Sequence, residues 1–288
     1  MAMSINDREL RSPDGTRIAY AIAGSGPALV LTNGLTTTTT FWKYLRPTWL
    51  KRHTVVTWDM PGHGNSSAAA SATSASIEAQ PSFIAQVMRA VGIERATHIG
   101  WSTGSQVVLE LYRQRPQLCD ALVMVLGGAG NALDPTRLPL SGTLIDRLTR
   151  ALPPALFAAS TRYLSAAFQH PRALPVARWF DLIGPHVSPR DAAEITAHIA
   201  SVEPATLQRL LHSCQAHSAH AVLANLRVPL LIIAGDKDPF APSERVGVLL
   251  QRDAPGSELL RLANGTHTAM LEEPERIAHA VERFLDRN

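Results

Sequence analysis

The stretch that decides the fold reads GWSTG, at residues 100–104. The short run ATHI precedes it at 96–99, and a helix-like segment follows it at 105–115. A strand, a tight turn and a helix in this order strain the central residue, and the flanking glycines let the helix approach the strand without an intervening Cβ. The Ser102 hydroxyl would then project beyond the strand, beside a helix N-terminus, as a nucleophile. The alternative is that Ser102 only caps the helix.

Seven further segments have strand-like sequences, and helix-like segments separate most of them. The strand-like segments are the residues before Arg11, then 16–20, 27–32, 53–58, 121–126, 228–234 and 258–262. The first two flank the turn signal SPDG at 12–15, which predicts a hairpin. Besides 105–115, the helix-like segments include 80–91, 243–251 and 274–285. Strands that alternate with helices predict an α/β fold with a mostly parallel sheet.

Residues 129–225 interrupt this alternation, because no strand-like run occurs in them. Helical pieces at 143–152, 156–168 and 189–202 predict a helical insertion between two strands of the sheet. The alternative is that these helices only extend the core. The Ala- and Ser-rich residues 66–79 are expected to form a flexible surface loop.

Composition and charge exclude several classes of protein. The chain has 288 residues, of which 45% are hydrophobic and 18% charged, so a disordered or fibrous protein is excluded. The net charge of +3 comes without a basic cluster, so we predict neither a nucleic-acid partner nor a membrane partner. No apolar run approaches the ~20 residues that span a bilayer. The first ten residues do not resemble a secretory signal, and Cys119 and Cys214 suggest no disulfide framework, so the predicted location is cytoplasmic.

A serine hydroxyl needs an imidazole base, and that imidazole needs an orienting carboxylate. His267 lies just beyond the last strand-like run, in a loop at the carboxyl end of the sheet, and is the predicted base. Asp238, in the loop after the strand-like run 228–234, is the predicted acid. Asp236, which we expect to bond backbone amides of its own loop, and Asp134 are the alternatives.

Backbone N–H groups must also stabilise the oxyanion of a tetrahedral intermediate. The N–H of Thr103, directly after the nucleophile, is one predicted donor, and that of Leu35, directly after Asn-Gly at 33–34, is the other. The Asn-Gly pair could instead form an ordinary turn. Trp101, Phe240 and Thr36 are the predicted substrate contacts.

Other histidines were weighed for a role in the site. His63 is interpreted as a turn residue, with a substrate contact as the alternative. The stretch HSCQAHSAH at 212–220 offers His and Cys side chains, but on a helix their spacing does not let them converge on one point. We therefore predict no metal site and no cofactor.

Taken together, the motifs resemble the α/β-hydrolase superfamily, in its capped, serine-nucleophile, esterase- or lactonase-like branch. The resemblance rests on TNGL at 32–35, DMPGHG at 59–64, GWSTG at 100–104, AGDKD at 234–238 and NGTHT at 264–268, which follow the family's order. Two positions depart from the common pattern. Asn33 stands where the family usually has a histidine, and Thr103 replaces a common methionine.

The resemblance implies an eight-stranded, mostly parallel sheet flanked by helices, with a helical cap after the sixth strand. Residues 1–128 and 226–288 would form the hydrolase core, and residues 129–225 the cap. It also implies that Ser102, Asp238 and His267 form a catalytic triad, with Leu35 and Thr103 as the oxyanion donors.

The predicted activity is therefore that of a serine hydrolase acting on a small to medium, largely apolar carboxylic ester, through an acyl-enzyme and without a cofactor. A lactonase, a thioesterase and a C–C bond hydrolase with the same triad are the alternatives, because the fold alone does not choose among them. A non-catalytic ligand-binding homologue is a further alternative. The predicted partner is a small-molecule substrate, and the sequence does not indicate an oligomeric state.

Overall fold

Eight strands form a single mixed sheet in a computed structural model, which describes residues 7–131, 142–168, 170 and 173–288. Every segment predicted to be a strand is one, with ends that shift by a few residues. The strands are β1 (Arg8–Arg11), β2 (Arg17–Gly24), β3 (Ala28–Thr32), β4 (Thr54–Trp58), β5 (Ala96–Trp101), β6 (Cys119–Val125), β7 (Leu230–Gly235) and β8 (Glu258–Leu262).

The sheet has the strand order β1-β2-β4-β3-β5-β6-β7-β8. Strands β3 to β8 run parallel to one another, whereas β2 pairs antiparallel with both β1 and β4. Because parallel strands present their carboxyl ends at one edge, the loops after β3, β5, β7 and β8 all meet there. The predicted α/β fold class, with eight mostly parallel strands flanked by helices, is confirmed.

Helices cover both faces of the sheet because side chains alternate along each strand. Val30 and Val56 pack in one hydrophobic cluster, and Leu31 and Val55 pack in the other. The first cluster contains the apolar sides of α2 (Gln80–Ala90), α3 (Thr103–Gln114) and α9 (Gly247–Asp253). The second contains those of α1 (Arg46–Trp49) and α11 (Pro274–Leu285), and the short α10 (Ala269–Glu272) precedes α11.

The described part of the chain between β6 and β7 is helical, as expected. Helix α6 has no counterpart among the predicted ones, and α8 overlaps only the helix considered at 212–220. The division into core and cap remains a prediction. The term "cap segment" denotes the residues between 142 and 225 that the structure describes. Its helices are α4 (Gly142–Ala151), α5 (Pro154–Phe168), α6 (Ala173–Trp179), α7 (Pro189–Ser201) and α8 (Pro204–Ala216).

Two local expectations differ from the structure. The helix predicted at 243–251 begins only at Gly247, because the Ser243 N–H donates to the Gly235 carbonyl and holds the preceding residues against β7. Residues 66–79, expected to be a flexible loop, are fixed by contacts with the core. The Ser66 hydroxyl donates to the Asp59 carbonyl at 2.7 Å, and Ile77 is completely buried.

Among the residues that the structure describes, no helix combines the length and the hydropathy that crossing a bilayer requires. Both cysteines lie in this part of the chain, and each is a buried free thiol.

Candidate active site

Ser102 occupies the sharp turn that the sequence predicts between β5 and α3. Its φ of 55° and ψ of −121° are strained for a residue with a side chain, and its N–H donates to the Val125 carbonyl at 2.9 Å. A Cβ at Gly100 would lie 2.2 Å from the Gly104 carbonyl oxygen, and one at Gly104 would lie 2.4 Å from that of Thr32. Only glycine fits at both positions, so these two residues permit the turn.

The Ser102 side chain meets an imidazole from the other end of the core. His267 follows β8, and its Nε2 lies 2.9 Å from the Ser102 Oγ. The two residues are 165 positions apart in the chain. The sheet brings them together because β5 and β8 both deliver their following loops to the same edge.

Asp238 lies on the far side of the imidazole. Its carboxylate oxygens are 2.9 and 3.1 Å from His267 Nδ1, and the side chain is completely buried. The N–H groups of Phe240 and Ala241 donate to its Oδ1 at 2.8 and 3.0 Å, which fixes the carboxylate. A carboxylate can only accept here, so the His267 proton stands on Nδ1 and Nε2 is left to accept from the Ser102 hydroxyl.

The structure separates Asp238 from the alternative acids. Asp236 receives a hydrogen bond from the Ser243 hydroxyl and lies 3.0 Å from the Arg261 guanidinium, with which it forms an ion pair. Asp134 lies outside the described residues. Of the two described candidates, Asp238 is the one hydrogen-bonded to the imidazole.

The two predicted oxyanion donors lie beside Ser102. Thr103 is the first residue of α3, so its N–H has no partner within the helix. Leu35 follows Gly34, and a Cβ at Gly34 would lie 2.9 Å from that of Ser102, so this loop contacts Ser102 directly. Asn33 anchors the loop, because its amide donates to the Trp58 carbonyl at 3.2 Å and accepts from Trp42 at 2.6 Å.

Aromatic side chains surround the imidazole. The Phe240 ring meets that of His267 edge-on, with 4.8 Å between centroids, and the Trp101 ring lies at 5.4 Å. Phe41 stacks on Trp101 at 4.2 Å. Trp101, Phe240 and Thr36, the three predicted substrate contacts, line a cavity that reaches Ser102. A residue that contacts the substrate has to line such a cavity.

That cavity has a volume of about 310 Å³ and a mainly apolar wall. The core contributes Leu35, Thr36 and Trp101, and the cap segment contributes Ile183, Ile195 and Ile199. A smaller cavity of about 240 Å³ also borders Ser102 and His267.

The sequence interpretation of His63 missed its main contact. The side chain is buried, its Nδ1 lies 3.0 Å from the Pro61 carbonyl, and its Nε2 lies 3.0 Å from the Thr36 N–H. Burial lowers the pKa of His63 to about 4. Because the contact joins two loops 27 residues apart, no local pattern in the sequence could have identified it.

The histidines at 212–220 have other partners. His217 lies 3.0 Å from the buried Glu110 carboxylate, and His220 lies 2.8 Å from Asp253. Within the described ranges, no three His, Cys, Asp or Glu side chains are grouped as metal ligands would be.

Residues 27–274 match the family described as alpha/beta hydrolase fold. The chain belongs to the α/β-hydrolase fold family. Among curated α/β-hydrolase relatives, it is 27% identical over 288 residues to the pimeloyl-[acyl-carrier protein] methyl ester esterase of Neisseria meningitidis, covering 97% of this chain and 98% of that protein.

Solved structures agree with the fold of this α/β-hydrolase. The enol-lactonase of Burkholderia xenovorans LB400 superposes with a TM-score of 0.74 and 20% identity, covering 94% of this chain and 97% of that one. The esterase RhEst1 of Rhodococcus sp. ECU1013 superposes with a TM-score of 0.73 and 21% identity, covering 99% of both chains. At these identities the two matches show the fold alone. The family match over residues 27–274 confirms the predicted superfamily.

Proposed function

We propose that this α/β-hydrolase is a serine hydrolase that cleaves a small to medium, largely apolar carboxylic ester through an acyl-enzyme. The observation that carries the proposal is the 2.9 Å distance between the Ser102 Oγ and the His267 Nε2, with Asp238 on Nδ1. The prediction of an ester-acting hydrolase also has the support of the methyl ester esterase of Neisseria meningitidis, the relative named above.

In the first half-reaction, His267 Nε2 takes the Ser102 hydroxyl proton while Oγ attacks the carbonyl carbon of the ester. The carbonyl π electrons move onto the oxygen, and the N–H groups of Leu35 and Thr103 stabilise that negative charge. Asp238 stabilises the imidazolium that forms. The intermediate then expels the alcohol, which leaves with the proton from Nε2, and an acyl-Ser102 ester remains.

In the second half-reaction, water repeats these steps in place of the serine. His267 Nε2 takes a proton from the water, whose oxygen attacks the acyl carbon. The same backbone donors stabilise the second oxyanion. Collapse releases the carboxylic acid, and Ser102 Oγ recovers the proton from the imidazolium.

The apolar cavity supports an apolar acyl group as the part of the substrate held under the cap segment. Its volume of about 310 Å³ lies at the lower end of the range for small-molecule sites. Trp101, Phe240 and Thr36 would contact the substrate next to the reacting carbonyl. The helices of the cap segment would close the far end of the cavity, so we propose that residues 129–225 act as a cap.

The test is a series of p-nitrophenyl esters with two to ten acyl carbons, assayed with the natural chain and with Ser102→Ala. We expect turnover of the shorter chains and a loss of at least about 1000-fold in Ser102→Ala. An aryl phosphonate should add its mass to the protein at Ser102 and nowhere else. Equal turnover by Ser102→Ala would contradict the proposal.

The same series should include a lactone and a thioester with the preferred acyl group. Faster Ser102-dependent turnover of either one would assign the protein to that alternative activity while retaining the mechanism. Absence of phosphonate labelling at Ser102, together with no turnover of any member, would instead indicate the non-catalytic alternative.

A further inference from the structure

The loop that carries Leu35 contains a backbone conformation that needs support. Thr36 has a φ of +62°, in the left-handed region that a β-branched residue rarely adopts. Glycine would enter this region without steric cost, but the chain has a threonine here. Contacts elsewhere in the fold must therefore hold the residue in this conformation.

Three hydrogen bonds hold the peptide groups on either side of Leu35, and one of them runs from the Thr36 hydroxyl to the Leu35 carbonyl at 2.6 Å. The Gly34 carbonyl and the Leu35 N–H belong to one peptide plane, and the Thr37 hydroxyl donates to that carbonyl at 2.9 Å. The Leu35 carbonyl and the Thr36 N–H belong to the next plane, and that N–H donates to His63 Nε2 at 3.0 Å. Together the three contacts determine φ and ψ of Leu35, and hence where its N–H points.

The bond from Thr36 requires a neutral imidazole with one particular tautomer. A carbonyl oxygen can only accept, so the 3.0 Å contact with Pro61 places the proton of His63 on Nδ1. Nε2 is then unprotonated and can accept the Thr36 N–H. The side chain is only 1% exposed, so burial favours this neutral form.

We propose that His63 is a positioning residue, whose neutral imidazole holds the Leu35–Thr36 peptide so that the Leu35 N–H points at the developing oxyanion. This role rests on the proposed serine-hydrolase function. It predicts that losing the acceptor at Nε2 reduces the stabilisation of the transition state more than that of the bound substrate. The reason is that the carbonyl oxygen of the substrate acquires its full charge only in the transition state.

The test compares His63→Leu, which has no acceptor, with His63→Gln, whose Oε1 can stand near the position of Nε2. Loss of one complete oxyanion donor lowers kcat by about 100- to 1000-fold, so a misdirected donor should cost about 10- to 100-fold in kcat. We expect that loss in His63→Leu with KM changed by less than about threefold, and recovery to within about fivefold in His63→Gln. Affinity for a trifluoromethyl ketone, which forms a tetrahedral adduct with a serine, should fall in parallel with kcat.

His98→Leu is the matched control. His98 is also fully buried and contacts a backbone carbonyl, that of Leu118 at 3.2 Å, and burial also lowers its pKa to about 4. It lies on β5 and lines neither cavity next to Ser102. His98→Leu should therefore share any cost in stability while kcat stays within about twofold.

Three results would overturn the role of His63. They are an unchanged kcat in His63→Leu, an equal loss of kcat in His98→Leu, and a loss confined to KM. If His63→Leu does not fold, His63→Asn replaces it, because its amide is one bond too short to reach Thr36. Its kcat should be about tenfold below that of His63→Gln, and equal values would overturn the role.

The assay also separates this role from the proposed function. A large loss in Ser102→Ala with no change in His63→Leu leaves the serine hydrolase standing and removes only the role of His63. Full turnover by Ser102→Ala removes both.

Discussion

In the proposed mechanism, the reactivity of Ser102 depends on which nitrogen of His267 carries the proton. Asp238 decides this, because a carboxylate accepts and so keeps the proton on Nδ1. The N–H groups of Phe240 and Ala241 hold the carboxylate in place. The arrangement costs no further reorganisation when the imidazolium forms, because the charge partner is already oriented.

Asp238→Asn should lower kcat by about 10,000-fold, because the amide group can donate to Nδ1 and stabilise the opposite tautomer. Its oxygen can still accept from the Phe240 and Ala241 N–H groups, so the loop should keep its conformation. The measurement is kcat on the preferred p-nitrophenyl ester, with circular dichroism as a check on folding.

Asp236→Asn is the control for this prediction. Asp236 bonds Ser243 and Arg261 and is not hydrogen-bonded to His267, so kcat should change by less than about threefold. A larger effect for Asp236 than for Asp238 would exchange their roles.

Helix α7 of the cap segment is joined to the loop after β3 by charged and polar contacts. Lys43 donates to the carboxylates of Asp191 and Glu194, the latter at 2.7 Å, and the Tyr44 hydroxyl donates to Asp191 at 3.0 Å. The hydroxyls of Thr38 and Thr40 each lie 3.1 Å from His198 Nε2. The threonine run at 36–40 therefore connects the predicted oxyanion loop to the helix that lines the apolar cavity.

Lys43→Met should loosen α7. Charge-assisted hydrogen bonds contribute about 1.5–3 kcal/mol each, so amide exchange across α7 should accelerate at least tenfold, and KM for longer acyl chains should rise. Hydrogen–deuterium exchange read by mass spectrometry measures the first effect. Exchange that accelerates uniformly over the protein would indicate global destabilisation and contradict the local role.

Arg190→Met is the control for Lys43→Met, because it also removes a positive charge that lies beside Glu194 of α7. Arg190 is 88% exposed and lies 3.4 Å from Glu194, a pair that solvent screens strongly. Exchange in α7 should therefore stay within about twofold of that of the natural chain.

The complete fold places the apolar cavity between the core and the cap segment, so its depth depends on both. Ile199 lines the cavity from α7 and is half-buried, which leaves room for a larger ring to turn inward. A substitution at Ile199 therefore tests which part of the substrate the cavity holds.

Ile199→Trp should shorten the acyl chain that the enzyme accepts. We expect kcat/KM for an octanoyl ester to fall at least tenfold and that for an acetyl ester to stay within about threefold, as for a pocket that loses several methylenes of space. Ile199→Val, which enlarges the cavity, should retain the kcat/KM of the natural chain for the octanoyl ester. Equal losses for both esters in the tryptophan variant would place the acyl group elsewhere.

Two buried histidines should make the stability of the fold depend on pH. Burial lowers the pKa of His63 and His98 from 6.5 to about 4, so between these values the unfolded chain binds protons that the folded chain does not. Stability therefore falls as pH falls below 6.5, by about 2 kcal/mol per histidine at pH 5.

Urea unfolding at pH 8, 6.5 and 5 measures this dependence. His98→Leu should reduce the loss of unfolding free energy between pH 8 and 5 by about 2 kcal/mol, because one of the two sites is removed. A loss of the same size in the variant and in the natural chain would show that His98 does not contribute.

The sequence by itself determined the eight strands and the strained turn at Ser102, and it predicted the residues proposed as nucleophile, acid and base. Each of these follows from local patterns: short apolar runs form buried strands, and glycines at 100 and 104 permit a close approach. Helix α6 was not predicted, because Pro175 lies within it, and only the end of α8 was, as part of the helix considered at 212–220.

Only the tertiary structure showed that the predicted Asp238, and not Asp236, is hydrogen-bonded to His267. It also gave His63 its partner at Thr36 and joined Lys43 to α7. Each choice is a matter of which atoms stand within about 3 Å of one another after the chain has folded, a distance that hydrogen bonding demands. Asp238 and His267 are 29 positions apart, and Lys43 and Asp191 are 148 apart. Separations of this kind are set by the packing of the sheet and helices, and no local pattern of residues encodes them.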